Sequence, residues 1–358
     1  MGGQQCRQDR AEAQRCAAAA PPLRSRNLRS IPAPPRADLS RRRIADEQRA
    51  LPTSASALAV GREESGRYHA DVSRFHVRGV FWRQLLVFAI HNVPAWIQPM
   101  ILAFWCLFFL TWGTGRRGVM RNLKSIKPGS TTIVNFFRCY RVFWNFAWAM
   151  ADAVCFKERG IMPDFEFVGW QHFEAMQRSG GAILLTAHMG SYDLGAQLFA
   201  ENSSQRIIMV RAPEVDPKTR EFEEARLSDK VQTEFNVKAT DLALDLLRAI
   251  RDGGIVAIQG DRVTPGVSDL PATLFGRTTR LPAGPFALGM TARVPIYPIF
   301  IVRRGRRRYR LVACEPISIG ATRDREAAFS EAMAKWTREL ERVIRASWYQ
   351  WFMFEEMA

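Results

Sequence analysis

The sequence has few of the residues that build metal centres and disulfide frameworks. Its 358 residues include only six cysteines and five histidines, and no two cysteines stand in a CxxC pair. Zinc sites and disulfide-rich folds need closely spaced ligands or half-cystines, so neither is expected, and no metal or redox cofactor is predicted. The cysteine pattern suits a reducing compartment.

The chain also lacks a G-x-S-x-G segment, the setting of a nucleophilic serine, and it lacks the signatures of nucleic-acid-binding motifs. An acyl-enzyme mechanism of the α/β-hydrolase type therefore has little support. A basic run, RRGRRRYR at residues 303–310, lies between two predicted strands. We interpret it as a solvated or lipid-facing hairpin tip, and nucleic acid is not an expected partner.

Acidic residues are outnumbered by basic ones: 51 Lys and Arg against 35 Asp and Glu give a formal net charge of +16. This excess predicts an anionic partner, either nucleic acid or membrane headgroups. Residues 84–115 contain no charged side chain and are rich in Trp and Phe, which favours the membrane. Because Pro94 and Pro99 interrupt this segment, a single crossing and a shallow interfacial hairpin both stay open. A buried core helix is less favoured.

Composition divides the chain into three parts. Residues 1–75 are rich in Arg, Ala, Pro and Ser without apolar periodicity, and are predicted to be a disordered basic tail. Residues 76–125 form the membrane-associated helical segment, whose basic end, at 116–125, is expected against anionic headgroups on the cytoplasmic side. Residues 126–358 form the folded domain. Its first part, to about residue 178, has a helical, aromatic pattern, and β-rich runs then alternate with amphipathic segments, which predicts an α/β architecture.

One apolar run, AILLTAHMGSYD at residues 182–193, ends on a histidine and turns towards an aspartate. A strand ending at His188 places this side chain at the carboxyl edge of a sheet, where open α/β sheets keep their sites. Gly190 permits a sharp turn, which can bring Asp193 to the imidazole. A carboxylate on one ring nitrogen leaves the other as a base, suited to deprotonating a hydroxyl that attacks an activated acyl group. On these residues alone, a structural strand-end histidine stays an alternative.

Several segments resemble one family in the same order along the chain. HMGSYD, at 188–193, resembles the H-x-G-N-W-E motif of the lipid A biosynthesis (lauroyl/myristoyl) branch of the H-x4-[DE] acyltransferases. VRAPEVDP, QGDRVTPG and LFGRTTRLPAGPFALGMTARVPIYPIFIVR, at 210–217, 259–266 and 274–303, are similar to later blocks of that branch. The resemblance covers about residues 80–355 and implies a glycerol-phosphate/lysophospholipid acyltransferase-like α/β fold. In that fold a mixed central β-sheet flanked by helices follows the membrane-associated segment.

The resemblance implies a role for each matching residue. His188 is the implied general base, and Asp193 is the implied carboxylate that orients it. The residues implied to bind substrate are Gly190, Arg211, Asp261 and Arg262. Either arginine is suited to binding a phosphate of the donor or the acceptor, although a structural ion pair with Asp261 is an equal alternative. The chain has Asp193 where the family has Glu, and Ser191-Tyr192 where the family has Asn-Trp. The resemblance therefore predicts the class of reaction more strongly than it predicts the acceptor lipid.

The predicted activity is therefore a fatty acyl transfer. The donor is an acyl thioester, acyl-ACP or acyl-CoA, and the acceptor is a hydroxyl of a membrane lipid or glycolipid, of the lipid A or lysophospholipid kind. The expected location is the cytoplasmic face of the inner membrane, and no cofactor is expected besides the thioester cosubstrate. Two alternatives stay open: a catalytically silent lipid-binding membrane protein of the same fold, and an esterase or thioesterase that uses water with the same base.

Overall fold

The computed structural model describes residues 80–112, 115–202, 205–211, 231–235, 239–264, 267–320 and 322–357. The predicted basic tail, residues 1–75, lies outside these ranges, and its disorder stays a prediction. Most of the block at 210–217 also lies outside the described residues, and only its first two residues, at the end of a strand, are described.

The charge-free segment forms two short helices, α1 (Val80–Asn92) and α2 (Gln98–Trp112). Pro94 lies in the turn between them, and Pro99 is the second residue of α2, where the missing N–H is tolerated. The 15 residues of α2 span about 22 Å, less than the ~30 Å of a bilayer's hydrocarbon core. In the parts of the chain that the structure describes, no helix has both the length and the apolar character to cross a bilayer. The predicted transmembrane helix is thus unsupported.

Two further helices complete the N-terminal layer. Helix α3 (Gly115–Ile126) is amphipathic and basic, and α4 (Thr132–Arg159) is the long helix against which α1, α2 and α3 pack. Helix α4 begins at the N-cap Thr131, whose side chain accepts a hydrogen bond from Val134 N, and ends at Gly160 in the left-handed conformation. Leu110, Leu123 and Val142 meet in the apolar core of this layer.

The rest of the chain builds an α/β domain. Its strands are β1 (Asp164–Val168), β2 (Ala182–Thr186), β3 (Ile207–Arg211), β4 (Val231–Phe235), β5 (Ile255–Gln259), β6 (Asp269–Leu274), β7 (Arg277–Pro282), β8 (Ile296–Gly305) and β9 (Arg308–Ala313). Its helices are α5 (Trp170–Arg178), α6 (Tyr192–Asn202), α7 (Ala239–Arg251), α8 (Gly284–Ala292) and α9 (Arg325–Ser347).

Seven of the described strands form one sheet in the order β1-β9-β8-β2-β5-β3-β4, and β6 and β7 form a separate hairpin. Neighbouring strands of the sheet are parallel except β8 and β9, which are antiparallel. This confirms the predicted α/β fold with a mixed central sheet flanked by helices. The parallel strands β2 and β5 are central and buried on both faces, as such strands normally are.

Side chains alternate between the two faces of β2, and each face has its own core. Ile183 and Leu185 lie with α9 on one face, where Trp336 stacks on Phe300 with ring centroids 5.5 Å apart. Leu184 lies on the opposite face with α5 and α6. This alternation fixes the side of the sheet towards which the residues after β2 point.

The basic run at 303–310 forms the β8–β9 hairpin, as predicted, but its arginines are not all solvated. The buried carboxylate of Asp152, in α4, accepts hydrogen bonds from Arg303 Nε at 3.3 Å, from the Arg307 backbone N at 3.2 Å and from the Tyr309 hydroxyl at 2.9 Å. Arg306 lies over the ring of Trp148, also in α4. Arg304, Arg306 and Arg308 are exposed, in line with the interpretation as a solvated turn, but Arg303, Arg307 and Tyr309 join the hairpin to α4.

Four of the described strands were not expected from the sequence: β1, β4 and the two strands of the β6–β7 hairpin. The aromatic region to residue 178 was predicted to be helical, yet β1 interrupts it as an edge strand parallel to β9. Strand β4 lies in a segment predicted to be amphipathic and helical, and it pairs with β3. Strands β1 and β4 are both five-residue edge strands. The partner of β1 is β9, which is distant in sequence, and a long connection separates β4 from its partner β3.

Candidate active site

The register of two central strands places a histidine beside an aspartate. Strands β2 and β5 are parallel, Thr186 pairs with Gln259, and Gly260 N donates to Thr186 O at 2.8 Å. His188 and Asp261 each follow two residues after that pair. Because the side-chain period of a strand is two residues, they leave the carboxyl edge on the same face as Thr186 and Gln259.

The two side chains form a direct hydrogen bond. His188 Nδ1 lies 2.7 Å from Asp261 Oδ1, and the backbone N–H of His188 donates to Oδ2 of the same carboxylate at 3.0 Å. The side chain of Asp261 is fully buried, whereas that of His188 is 18% exposed. A carboxylate only accepts, so Nδ1 carries the proton, and the lone pair is on Nε2, on the ring edge away from Asp261.

Asp261 is ionised in this setting. Burial by itself raises the pKa of Asp261, but the charge of His188 and hydrogen bonds from His188 and from Trp351 Nε1 together lower that pKa below its ordinary value. A buried anion with three donors is an effective partner for an imidazole that must accept a second proton. The carboxylate therefore fixes the tautomer of His188 and the orientation of its ring.

Asp261 thus occupies the place that the sequence predicted for Asp193. Asp193 lies in the first turn of α6, but its side chain lies outside the described residues, so its predicted role stays a prediction. The predicted substrate contact of Asp261 stays a prediction: here its oxygens accept from His188 and Trp351, and its side chain is buried.

Arg262 faces the other nitrogen of the imidazole. Its Nη2 lies 3.1 Å from His188 Nε2, and its Nη1 lies 3.5 Å from Glu355 Oε1. A guanidinium has only donors, so it donates to the Nε2 lone pair, as the Nδ1–H tautomer requires. The predicted ion pair between Arg262 and Asp261 is not what the geometry shows, because the guanidinium is directed to the imidazole and to Glu355.

An apolar pocket lies beside the pair. Thr186 and Gln259 line it, as does Tyr192, whose ring centroid is 6.2 Å from that of His188. Arg211, at the end of β3, also lines it and has its guanidinium 5.7 Å from the Tyr192 ring. The rest of the lining is mainly aliphatic and aromatic: Leu184, Phe199, Ile207, Met209, Ile255 and Ile301. Its lining favours apolar groups, but the cavity is only about 40 Å³, smaller than a typical ligand site.

A comparison with known protein families identifies the family of the chain. The family described as bacterial lipid A biosynthesis acyltransferase matches residues 78–357, which is most of the chain. The chain belongs to this lipid A biosynthesis acyltransferase family. A comparison with individual curated proteins gives no match. Membership makes the protein an acyltransferase that acts on lipid, and it implies an acyl donor and a lipid acceptor in general terms.

In this acyltransferase the turn after His188 is shaped by a close backbone contact. Gly190 has φ +56°, and a Cβ built on it would lie 2.2 Å from Ile301 O. Its N–H donates to Gln350 O at 3.2 Å. The predicted substrate contact of Gly190 stays a prediction; in the structure its N–H binds Gln350 O, and its missing side chain lets the turn pass close to β8.

One residue of the acyltransferase site was not singled out from the sequence. Trp351 Nε1 donates to Asp261 Oδ2 at 2.8 Å, across 90 residues of chain. The sequence did not indicate this contact, because a tryptophan in a terminal segment carries no local sign of its partner. Among the described residues, no cluster of three or more His, Cys, Asp or Glu side chains is placed to hold a metal ion.

Proposed function

We propose that this acyltransferase transfers a fatty acyl group from an acyl thioester to a hydroxyl of a membrane lipid or glycolipid, with His188 as general base and Asp261 as the carboxylate that orients it. The observation that carries the proposal is the hydrogen-bonded pair: Nδ1 is bound to a buried carboxylate, and Nε2 is directed away from it. The family match supports the acyl transfer and the lipid acceptor.

The proposed reaction is direct. His188 Nε2 takes the proton of the acceptor hydroxyl while its oxygen attacks the thioester carbonyl carbon, giving a tetrahedral oxyanion. The C–S bond then breaks, and the thiolate of coenzyme A or of acyl carrier protein leaves with the proton returned by His188. The products are an ester and a free thiol, and no acyl-enzyme forms. Asp261 stabilises the imidazolium between the two proton transfers.

Arg262 is the cation nearest to the base. Because its N–H now donates to Nε2, the acceptor hydroxyl must take its place there before the proton can be transferred. The guanidinium then remains beside the reacting carbonyl, where it is suited to stabilising the oxyanion or a phosphate of a substrate.

The N-terminal helices supply the proposed membrane contact. On α2, Met100, Phe104 and Leu107 share one face and are 68%, 63% and 51% exposed. On α4, which packs against α2, Ile133 and Phe137 are also exposed. Soluble surfaces rarely expose so many large apolar side chains together. With the basic helix α3 nearby, they support an interfacial attachment to anionic lipid on the cytoplasmic face of the inner membrane.

The activity is tested by product analysis. The protein and its His188→Ala form are incubated with labelled acyl-ACP or acyl-CoA and a total membrane-lipid extract, and labelled products are identified by mass spectrometry. We expect an acylated lipid that is lost in His188→Ala but retained in His172→Ala, which changes a histidine of α5 outside the pair. Label found only as free fatty acid would identify a thioesterase, and no transfer with either donor would favour the silent lipid-binding alternative.

The membrane contact is tested by flotation of the full chain with vesicles of neutral or anionic lipid. Replacing Phe104 and Phe137 by serine should weaken binding to anionic vesicles by roughly tenfold or more, because two aromatic side chains are lost from the interface. Leu244→Ser is the matched control, since Leu244 is 51% exposed on α7. Equal binding by both forms would refute the assignment of this surface.

A further inference from the structure

The last residues of the chain cross the active site. Residues 350–357, here called the C-terminal strap, pair with the turn that carries the base: Phe352 N donates to His188 O at 2.7 Å, and Gln350 O accepts from Gly190 N at 3.2 Å. Met189 and Trp351 form an antiparallel bridge between these two contacts. The strap therefore fixes the backbone on both sides of His188.

Within the strap, Trp351 holds the carboxylate partner of the base. Its Nε1–H donates to Asp261 Oδ2 at 2.8 Å, while Oδ1 accepts from His188 Nδ1 at 2.7 Å. Trp351 is 3% exposed, and its indole ring packs against Phe275 with centroids 5.9 Å apart. Each oxygen of the carboxylate thus has a side-chain donor, and these two donors fix the plane of the carboxylate.

The far end of the strap is fixed as well, although chain ends commonly fray. Asn122, a buried residue of α3, donates to the carbonyl oxygens of Met353 at 3.2 Å and Glu355 at 2.8 Å, and accepts from Met357 N at 2.9 Å. Gly118, one turn earlier in α3, leaves space for the strap, because a Cβ there would lie 2.2 Å from Phe354 O. The strap is therefore held between α3 and the active site.

We propose that Trp351 is a positioning residue of the acyl transfer reaction, and that the C-terminal strap is part of the catalytic centre. Without the indole N–H, Oδ2 of Asp261 keeps only the backbone N–H of His188 as a donor, so the carboxylate is held less firmly. Nε2 of His188, which touches the substrate, is then less firmly directed. The inference rests on the proposed function for its kinetic consequences, whereas the hydrogen bonds themselves are independent of the substrate.

The test compares two tryptophan variants. Trp351→Phe removes the N–H and keeps an aromatic ring. Trp336→Phe is the matched control: it also removes a buried indole bond, from Nε1 to Gly260 O at 3.0 Å, but that bond does not reach Asp261. For Trp351→Phe we expect kcat to fall roughly tenfold or more with KM little changed, since a hydrogen bond to a charged group is lost. We also expect the acid limb of its pH–rate profile to move to higher pH, because the carboxylate is less stabilised as an anion.

A second measurement needs no turnover. The low-field proton resonance of His188 Nδ1–H, assigned by its loss in His188→Gln, should move in Trp351→Phe and stay in place in Trp336→Phe. If that resonance moves but no form transfers acyl groups, the positioning role stands and the proposed function falls. If the wild type is active and both variants lose activity with an unchanged acid limb, the role is merely structural and the proposal is overturned.

The variant's folding is checked by circular dichroism. If Trp351→Phe does not fold, Asn122→Ala replaces it, because this change releases the far end of the strap without touching the reacting groups. The expected result is a smaller shift of the same resonance and of the acid limb in the same direction. An unchanged resonance and acid limb in a folded Asn122→Ala protein would count against the strap as part of the catalytic centre.

Discussion

The sharpest test of the site is Asp261→Asn, which replaces the carboxylate by an amide of the same shape. Two donors, His188 N and Trp351 Nε1, lie 3.0 and 2.8 Å from Oδ2. They require the amide oxygen at that position, so the amide NH2 must face His188 Nδ1. It can only donate there, which moves the ring proton to Nε2. The substitution thus keeps the fold and removes the base.

The expected loss follows from that change of tautomer. A positioned general base contributes about 10²–10⁴-fold, and an Asp-to-Asn change that imposes the wrong tautomer in a Ser-His-Asp hydrolase costs ~10⁴ in kcat. We therefore expect kcat of Asp261→Asn to fall by roughly 10²–10⁴-fold, with KM little changed because the fully buried carboxylate does not reach the substrate. The assay is the steady-state release of thiol from the acyl thioester in the presence of acceptor lipid.

Two further variants make the result decisive. Asp193→Asn tests the assignment made from the sequence, and Asp324→Asn, which changes the N-cap of α9, is a control for the substitution itself. Activity of Asp261→Asn within tenfold of the wild type, or a larger loss in Asp193→Asn, would refute the assignment of Asp261 as the orienting carboxylate.

Asp261→Asn also has a consequence for stability against pH. The pKa of Asp261 is lowered in the folded protein, so its contribution to stability is present above the ordinary carboxyl pKa of about 3.9 and is lost as pH falls through the lowered value. The difference in the free energy of unfolding between wild type and variant should be constant at higher pH and shrink below about pH 4. Denaturant titrations at several pH values measure it, and a difference that grows towards acid would contradict the assigned shift.

Three other predictions concern the surrounding structure. Gly190→Ala should lower the free energy of unfolding by roughly 1–3 kcal/mol or more and strongly reduce kcat, because φ is +56° and the new Cβ would clash with Ile301 O; a denaturant melt with wild-type stability would contradict this. Asp152→Ala should lower the free energy of unfolding by roughly 3–5 kcal/mol, because the buried Arg303 loses its carboxylate partner. A decrease below about 1 kcal/mol in the same denaturant melt would show that the Arg303–Asp152 ion pair is dispensable. Burial raises the pKa of the Cys106 and Cys314 thiols to about 12, so iodoacetamide should label them, as read by peptide mass spectrometry, only after denaturation; rapid labelling of the native protein would refute their burial.

Local sequence patterns were sufficient to predict many of the strands and helices of the α/β domain. The runs that became β2, β3, β5, β8 and β9 are continuous apolar or β-branched stretches between turn residues, and the helical periodicity from residue 324 to 347 is realised in α9, Arg325–Ser347. The edge strands β1 and β4 were missed because each lies in a segment whose sequence pattern indicated a helix, and β1 is stabilised by pairing with β9, which is distant in the chain. The two prolines of the apolar segment pointed to an interruption, and the structure has a turn there.

The sequence by itself determined where the proposed base lies. An apolar strand ending in His188, followed by a glycine turn, identifies a histidine at the carboxyl edge of a sheet, and the ordered motifs around it identify the reaction class. The same sequence directed attention to Asp193, because spacing along the chain reports only contacts made within a turn.

Only the tertiary structure decided which groups surround that base. Asp261 is 73 residues beyond His188 and reaches it because β5 is the parallel neighbour of β2 in a defined register. Trp351 is 90 residues beyond Asp261 and reaches it because the strap pairs with the turn after β2. Strand order and register depend on how the two faces of the whole sheet are covered, which no local pattern specifies.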